Sequence, residues 1–378
     1  MIYQLLHTLN YGDAISTEAV TISRLLDEGL NKNGGIYSLH AHQKMRSMFN
    51  HYSKLEAEIE SIKSSSPSKP IVILHYSIGS PLNQLFVNLK GVKKVIIYHN
   101  LTPDHFFKNY NYRVYSDLVQ GREELVDLFK SADKIIADST YNANELRQIG
   151  FENITVLPIP LDRTKWEIEA NAGIEGILKN NIEFETSSAK IQPTEKPVHL
   201  LHVGRIAPNK KIEDIIKTFY FYYHKINPNS RLWLIGHDID TEIYSLELRR
   251  YVSDLMLGGA VSFVGSVADS ELKSFYQNCS AYICTSEHEG FCVPLIEAMY
   301  FSLPIIAYDS TAIGETLGEA GILLNDKKPE LVAEVVDALI NDKALQDKLK
   351  EKSTEQLNKF SEERFVQNLK EIFLELGC

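Results

Sequence analysis

Short runs of apolar residues, most of them β-branched, alternate along the chain with longer amphipathic stretches. In the first half, residues 72–74, 95–98 and 135–137 form such runs without an intervening polar residue. Continuous runs of this kind are typical of strands that are buried on both faces of a parallel sheet. The amphipathic stretches at residues 19–30 and 123–131 predict helices between the strands. The pattern therefore predicts repeated β-α units.

The same alternation restarts in the second half of the chain. Its apolar runs are residues 199–203, 232–235, 261–264, 281–283 and 304–307. Two consecutive series imply an α/β protein with two doubly wound, Rossmann-like domains. Ligands of such a protein bind where the carboxyl ends of both sheets face a shared cleft. Residues that directly follow the strands are therefore the candidates for a functional site.

The periodicity lapses between Pro160 and about Pro197, which indicates a connection between the domains. Loop-forming residue types occur there at 171–176, 187–188 and 193–195. We predict an N-terminal Rossmann-like domain over residues 1–185 and a C-terminal one over residues 186–355. Residues 356–378 are predicted to form a helix that packs back on the N-terminal domain.

Charge is distributed unevenly and restricts the class of partner. The formal net charge is −11, and because residues 1–160 sum to zero, residues 161–378 carry all of it. Binding to nucleic acid requires clustered Lys and Arg, so the acidic half argues against nucleic acid as a partner. No apolar run approaches the ~18 residues that are needed to span a bilayer.

The first residues and the cysteines bear on the compartment. The N-terminal segment lacks a basic region and reaches Asp13 early, which is not typical of a signal peptide. The four cysteines form no Cys-x-x-Cys pair and are interpreted as small core residues in a reducing compartment. We expect a cytoplasmic protein, with peripheral contact at the inner face of the membrane left open.

The first candidate site directly follows the run at residues 199–203. Gly204 permits close approach to the backbone, and Arg205 and Lys210 place two cations beside a helix that begins near Lys211. A pyrophosphate would fit there without a metal ion. From the spacing alone, a loop with two solvated cations is an equally good interpretation.

The second candidate site follows the run at residues 281–283. Pro294 suits the first turn of a helix, which leaves Glu289 in the preceding loop and Glu297 in the opening turns. Backbone N–H groups after Gly290 can donate to an anion, and Glu297 can accept hydrogen bonds from a polyol such as ribose. The alternative is that Glu297 only complements the helix dipole and Glu289 is a solvated loop residue.

The spacing Glu289-x7-Glu297, with Gly290-Phe291 and Pro294 in between, resembles the signature of the retaining glycosyltransferases of family four, also called group 1. These enzymes have the GT-B fold. Further segments resemble the family in the expected order, namely residues 157–162, 202–205 with Lys210, 264–265, 272–276 and 304–307. The resemblance covers nearly the whole chain and is strongest from about residue 195 to 325.

The resemblance implies a role for each candidate residue. The cations Arg205 and Lys210 would stabilise the departing nucleoside diphosphate, Glu289 would lie near donor-sugar hydroxyls, and Glu297 would hold the ribose. The expected catalytic residues are His99, Arg205, Lys210 and Glu289, and the expected donor-binding residues are Gly204, Gly290, Phe291 and Glu297.

Interpretation of the first domain is less constrained. His99 follows a strand and matches the histidine that family members place beside the reacting sugar. His75 also ends a strand and is the rival, and a strand-end histidine satisfied by its neighbours is the alternative. Gly12 and Asp13 are the expected acceptor-side residues, although the turn has one glycine where many relatives carry a pair. The segment at residues 106–112 would line an acceptor groove or pack between helices.

Three departures from the family pattern concern single positions. One is the lone Gly12, another is Lys211 in place of a glycine after Lys210, and the third is Gly314 in place of a proline before Glu315. None of them removes a charge that the chemistry requires.

The function implied by the resemblance is a metal-independent, retaining transfer of a hexose-type sugar. The donor would be a nucleotide-diphosphate sugar carrying UDP or GDP, with no cofactor, and the acceptor a saccharide or lipid-linked saccharide in surface polysaccharide assembly. Two alternatives stay open: a sugar phosphorylase on the same fold, and a non-catalytic nucleotide-sugar-binding partner of a transferase.

Overall fold

Each of the eight apolar runs overlaps a β-strand in the structure, a computed structural model that describes residues 1–29, 32–63, 68–179 and 197–377. The chain divides into two compact units, each with its own sheet. The first unit comprises Met1–Lys108, Tyr112–Pro160 and Phe360–Cys378, and the second comprises Asn109–Asn111 and Leu161–Lys359. The domain boundary predicted at residues 185/186 lies outside the described residues, and so does Cys378.

The first unit contains a seven-stranded sheet in which every pair of neighbours is parallel. Its strands are β1 Ile2–Leu9, β2 Asn33–Ala41, β3 Phe49–His51, β4 Ile71–Tyr76, β5 Lys93–Tyr98, β6 Lys134–Ala137 and β7 Ile154–Val156. Their spatial order is β3-β2-β1-β4-β5-β6-β7. The helices among them are α1 Ala14–Gly29, α2 Leu55–Lys63, α3 Pro81–Asn88, α4 Tyr112–Lys130 and α5 Thr140–Gln148. The order reverses at β1 and β4, as in a doubly wound sheet.

The second unit contains a six-stranded sheet that is also parallel throughout. Its strands are β8 Val198–Val203, β9 Ser230–Ile235, β10 Val261–Gly265, β11 Ala281–Cys284, β12 Ile305–Tyr308 and β13 Ile322–Leu324. Their spatial order is β10-β9-β8-β11-β12-β13. The helices of this unit are α6 Ala172–Lys179, α7 Ile212–Phe221, α8 Glu242–Asp254, α9 Asp269–Asn278, α10 Val293–Tyr300, α11 Ile313–Leu317, α12 Pro329–Asn341 and α13 Lys343–Leu357.

The last helix, α14 Glu362–Glu375, belongs to the first unit. Its apolar face, which includes Phe365 and Leu369, shares a core cluster with Ile22 of α1 and Ile73 of β4. The opposite face of the same sheet packs against other helices in a second cluster. Both faces of the first sheet are therefore covered, which explains why its strands are continuous apolar runs.

The loop predicted at residues 171–176 is wrong, because helix α6 begins at Ala172. Gly173 and Gly176 made the segment unlike a helix in sequence. In the structure Asn171 supports the helix start, since its Oδ1 accepts a hydrogen bond from Ile174 N–H at 3.1 Å. Asn171 N–H also donates to the Ser274 hydroxyl of α9 at 2.8 Å, so a tertiary contact stabilises the turn. The loop residues predicted at 187–188 and 193–195 lie outside the described residues.

The aromatic segment at residues 106–112 packs. Phe107 is buried in the core of the first unit. Tyr110 belongs to the second unit, where its ring meets the Tyr244 ring edge to face. Of the two interpretations of this segment, the structure favours packing.

Candidate active site

A glycine stands at the carboxyl end of three neighbouring strands in the second sheet. Gly204 follows β8, Gly236 follows β9 and Gly265 ends β10. The turns are tied together, since Gly204 N–H donates to Ile235 O at 2.9 Å and Gly236 N–H donates to Gly265 O at 3.0 Å. A Cβ at Gly236 would lie 1.9 Å from Gly204 O. The sequence analysis made only Gly204 a site residue and noted Gly265 only in the family-like segment at residues 264–265, although a glycine directly after a buried run marks all three.

The two predicted cations lie on the turn after β8. Arg205 is half-buried, and its Nη2 donates to Ile239 O at 2.8 Å. Lys210 ends a single 3-10 turn, and Lys211 follows it with φ 51°. That left-handed conformation favours glycine, so the structure supplies a physical reason for the glycine at this position in the family pattern. Helix α7 then begins at Ile212, as predicted to within one residue.

Lys210 and Glu289 form an ion pair at the carboxyl edge of the second sheet. The Lys210 Nζ lies 2.6 Å from each oxygen of the Glu289 carboxylate. The Lys210 side chain is 20% exposed and that of Glu289 is 8% exposed. The interpretation of these two residues as solvated loop positions is therefore wrong. The sequence motifs that carry them are 79 positions apart, and only the fold brings them together.

Two residues that sequence reasoning missed hold Glu289 in place. The Ser286 hydroxyl donates to Glu289 Oε1 at 2.8 Å, and Glu289 N–H donates to the Thr311 hydroxyl at 2.9 Å. Asn209 adds a bond from its amide to His288 O at 3.0 Å. The carboxylate thus enters any reaction with its orientation already set. Ser and Thr in loops after strands carry little sequence signal by themselves.

The electrostatics of the pair keep Lys210 charged. Burial acts to lower the pKa of Lys210, but the Glu289 carboxylate raises it by more, through its charge and its hydrogen bonds. The net result is a pKa above the usual value for lysine. An ammonium that stays charged in a sparsely hydrated site interacts strongly with anions.

Gly290 and Phe291 connect Glu289 to helix α10. Phe291 is 5% exposed, and its carbonyl accepts a hydrogen bond from the Thr316 hydroxyl at 2.6 Å. Cys292 precedes the helix with φ 75°, which re-aims the chain into α10. Pro294 occupies the first turn, as predicted. The Gly290-Phe291 backbone therefore directly follows Glu289, the acidic member of the Lys210–Glu289 pair, in the chain.

Both oxygens of Glu297 already have partners from the second unit. Lys165 Nζ lies 2.8 Å from Oε1, and the Tyr276 hydroxyl donates to Oε2 at 2.9 Å. Asp269 lies farther from the same ammonium, at 3.8 Å. Burial and the Glu297 charge raise the pKa of Tyr276 well above its usual value, so this residue stays a donor. Helix-dipole complementation alone therefore does not describe Glu297, and neither Lys165 nor Tyr276 was predicted.

In the first unit, His99 directly follows β5 and is enclosed by other polar side chains. Its Nδ1 lies 3.0 Å from Asp138 Oδ2 and 3.5 Å from Glu18 Oε2. Its Nε2 lies 2.9 Å from Nδ1 of His75, so the two rival histidines are hydrogen-bonded to each other. Both ring nitrogens of His99 thus have protein partners. A catalytic role for His99 stays a prediction.

Gly12 and Asp13 form the turn between β1 and α1. Gly12 has φ 76°, and no atom lies within 4 Å of the position its Cβ would take. Asp13 caps the helix, because its Oδ2 accepts from Ser16 N–H at 3.0 Å and from the Ser16 hydroxyl at 2.9 Å. A role at the acceptor stays a prediction for both residues.

Two clusters among the described residues bring potential metal ligands within 4.8 Å of one another. They are Cys284, Glu289 and Cys292 in the second unit, and Glu18, His75 and His99 in the first. In the cluster of the second unit, the Lys210 ammonium already bonds both oxygens of Glu289. In the cluster of the first unit, the two histidines bond to each other. Metal independence stays a prediction.

These features define the fold class. Two doubly wound, parallel α/β units are present, as predicted, and among the described residues no helix is both long and apolar enough to cross a bilayer. The chain is similar to the crystal structure of Anabaena Alr3699/HepE in complex with UDP-glucose, with a TM-score of 0.74 at 15% identity over 99% of this chain and 100% of that one. The likeness shows the GT-B fold.

The family comparison mainly concerns residues of the second unit. Residues 183–356 match the family described as "Glycosyl transferases group 1", which supports that family for this chain. The O-antigen chain mannosyltransferase RfbU of Salmonella typhimurium is 31% identical over 139 residues, 36% of each chain. The capsular polysaccharide biosynthesis glycosyltransferase CapM of Staphylococcus aureus is 28% identical over 205 residues, 51% of this chain and 52% of that protein. The matches thus span about a third to a half of these curated relatives.

Proposed function

We propose that this protein is a retaining, metal-independent glycosyltransferase. It moves a hexose-type sugar from a nucleotide-diphosphate sugar, with UDP or GDP as the nucleotide, to a saccharide or lipid-linked saccharide acceptor. The names of RfbU and CapM support surface polysaccharide assembly as the setting. The UDP-glucose complex of HepE supports a nucleotide-sugar donor.

The observation that carries the proposal is the buried Lys210–Glu289 pair. An ammonium has three N–H donors, and the two oxygens of Glu289 take two of them. The third N–H serves a phosphate oxygen of the donor, beside the guanidinium of Arg205. Glu289 accepts from Lys210 at both oxygens and from Ser286 at Oε1. A carboxylate has about four acceptor positions, so one remains for a sugar hydroxyl.

The chemistry follows from these charges. As the bond to the anomeric carbon breaks, negative charge grows on the leaving diphosphate, and fixed cations stabilise that charge most in a site with little water. Lys210 and Arg205 do this in the proposed mechanism. Glu289 stabilises the positive charge that develops on the sugar, and its orientation costs nothing during the reaction because Ser286 and Thr311 already hold it.

A thermal-shift screen tests the proposal directly. Purified protein is heated with uridine, guanosine, adenosine or thymidine diphosphate, and with inorganic phosphate. A diphosphate at a hundred times its dissociation constant stabilises the fold by about 2.7 kcal/mol. We expect one nucleotide to raise the melting temperature, and Arg205→Ala to weaken that shift and the release of diphosphate from the matching sugar donor.

The other outcomes separate the alternatives. A shift with inorganic phosphate and none with nucleotides would indicate a phosphorylase. Nucleotide binding without released diphosphate, over a panel of saccharide and polyprenol-linked acceptors, would indicate a non-catalytic binding protein. Co-flotation with vesicles that contain anionic lipid tests whether the protein makes the peripheral membrane contact that the sequence analysis leaves open.

A second prediction concerns Glu297, which we propose accepts hydrogen bonds from the ribose diol. Lys165 and Tyr276 use two of its four acceptor positions, which leaves two for the ribose hydroxyls. We expect Glu297→Gln to weaken binding of the nucleoside diphosphate about tenfold, or about 1.4 kcal/mol. The same variant should weaken binding of the 2′-deoxy analogue less, because that nucleotide has no 2′-hydroxyl to donate a hydrogen bond to Glu297 even in the wild type. Equal losses for both nucleotides, measured by calorimetry, would contradict a ribose contact.

A further inference from the structure

A chain of buried polar side chains runs along the carboxyl edge of the first sheet. Gln4 lies on β1, His75 on β4, His99 directly after β5, Asp138 directly after β6 and Glu18 on α1. All five residues are buried, with exposures between 0% and 8%. Their hydrogen bonds connect the middle of β1 with the carboxyl ends of β4, β5 and β6, and the hydrogen-bond partners determine which ring nitrogens carry protons.

The orientation of the Gln4 amide fixes the first proton. Its Nε2 donates to Ala19 O at 2.9 Å and to the Ser23 hydroxyl at 2.8 Å, so Oε1 is the atom that faces His75. An amide oxygen only accepts, and His75 Nε2 lies 2.9 Å from it. His75 therefore carries its proton on Nε2. Burial and the charge of His99 both lower the pKa of His75, so its Nδ1 carries no proton.

The state of His99 follows from its two neighbours. Because Nδ1 of His75 is an acceptor, Nε2 of His99, 2.9 Å away, must donate to it. Because the Asp138 carboxylate is an acceptor as well, Nδ1 of His99, 3.0 Å away, must also donate. An imidazole that donates from both nitrogens is an imidazolium. The hydrogen bonds, together with a neutral His75, thus assign a positive charge to His99.

The surrounding charges support this assignment. Burial acts to lower the pKa of His99, but the carboxylates of Asp138, Glu18 and Asp13 raise it by more, to about 9. Burial also raises the pKa of Glu18 to about 8, against the lowering effect of His99 and with the help of Asp138. Burial thus disfavours the charged form of Glu18, and Asp138 is the carboxylate that bonds the imidazolium of His99.

We infer that His99 is a fixed imidazolium that holds the carboxyl edge of the first sheet together, and that it is a positioning residue and not a proton acceptor. Through His75 and Asp138 it links the ends of β4, β5 and β6, and through Gln4 the link extends to β1 and α1. The turn of Gly12 and Asp13 and the loop that begins at Asn100 both leave this edge. Its effect on transfer rests on the proposed function, whereas its charge does not.

Nitrogen-15 NMR of protein labelled in the histidine rings measures the charge directly. Between about pH 6 and pH 8, we expect both nitrogens of His99 to carry protons, with the signals assigned by a His99→Gln variant. His199 is an internal control. Its Nδ1 accepts from Trp233 Nε1–H at 3.0 Å and its Nε2 donates to Leu178 O at 3.0 Å, so the same reasoning makes it neutral. A neutral His99 at pH 7 overturns the inference.

The variant Asp138→Asn provides a second test of the charge on His99. The amide offers no negative charge, so we expect His99 to lose a proton within this pH range, whereas Asp127→Asn, at a side chain 93% exposed, leaves it charged. In a transfer assay, the turnover of Asp138→Asn should fall as pH rises, and that of Asp127→Asn should not. A purely structural role of Asp138 would lower turnover equally at every pH, and that result overturns the positioning role. Absence of all transfer in the wild type would contradict the proposed function and leave the NMR result to decide the inference.

Discussion

Replacement of Lys210 by methionine is expected to lower the turnover number about 100- to 1000-fold, the loss that follows removal of one group that stabilises transition-state charge. Methionine keeps an unbranched side chain of similar length but has no charge. The ammonium that meets both oxygens of Glu289 is lost, and so is the N–H proposed for the leaving diphosphate. Released nucleoside diphosphate measures the effect. Lys217→Met is the matched control, because Lys217 pairs with Asp214 at 3.0 Å in the same unit but is 41% exposed.

Stability and catalysis can be separated at this pair. Lys210→Met leaves the Glu289 carboxylate buried without its cation, which costs about 3–5 kcal/mol of folding free energy. The double variant Lys210→Met with Glu289→Gln removes both charges, so we expect it to regain much of that stability but no turnover. Recovery of turnover together with stability would show that the pair is structural. A comparable loss in Lys217→Met would show that the assay reports general damage.

Gly236→Ala is expected to lower the free energy of unfolding by about 2–6 kcal/mol. The new methyl group would lie 1.9 Å from the carbonyl oxygen of Gly204, and a backbone atom cannot rotate away as a side chain can. Gly236 also has φ +148°, where other residues are strained. Backbone strain and overpacking each cost about 1–3 kcal/mol. Urea unfolding of the wild type and the variant measures the difference.

Another glycine of the second unit serves as the control for Gly236. Gly258 lies in the loop between α8 and β10, and no atom stands within 4 Å of the position that a Cβ would take there. Gly258→Ala is therefore expected to change the stability by less than about 1 kcal/mol, and toward the stabilised side. If Gly236→Ala is as stable as Gly258→Ala, the close approach of the two strand-end turns is not a feature of the folded protein.

The strands that the sequence analysis missed show which strands the local hydrophobic pattern cannot predict. Eight runs were found because apolar residues dominate each of them, although His202 interrupts one and Ser262 another. Strand β1 was not among them, because Gln4 and His7 interrupt its apolar residues. Gln4 is fully buried in the structure, and its amide is satisfied by Ala19, Ser23 and His75. From sequence alone, an amide such as that of Gln4 is expected on the surface, because the distant partners that satisfy it when it is buried are not known.

Some residues of the candidate site could likewise be predicted from the sequence, and others could not. Lys210 and Glu289 could be found because each lies in a motif directly after a recognisable strand. The rivalry between His75 and His99 could not be resolved, since both end strands and the structure bonds them to each other. The partners Glu18 and Asp138 have no motif, because what matters about them is their distance from His99 and their lack of water.

By itself, the sequence determined the class of fold, the two series of β-α units and the charged residues at the ends of particular strands. These follow from hydrophobic periodicity and from chemistry within a few residues, both of which are local. The tertiary structure decided which charges meet, which are buried and which protons they hold. Such properties depend on atoms that are distant in sequence, as in the pairs Lys210–Glu289 and Lys165–Glu297, and only the folded chain brings those atoms within hydrogen-bonding distance.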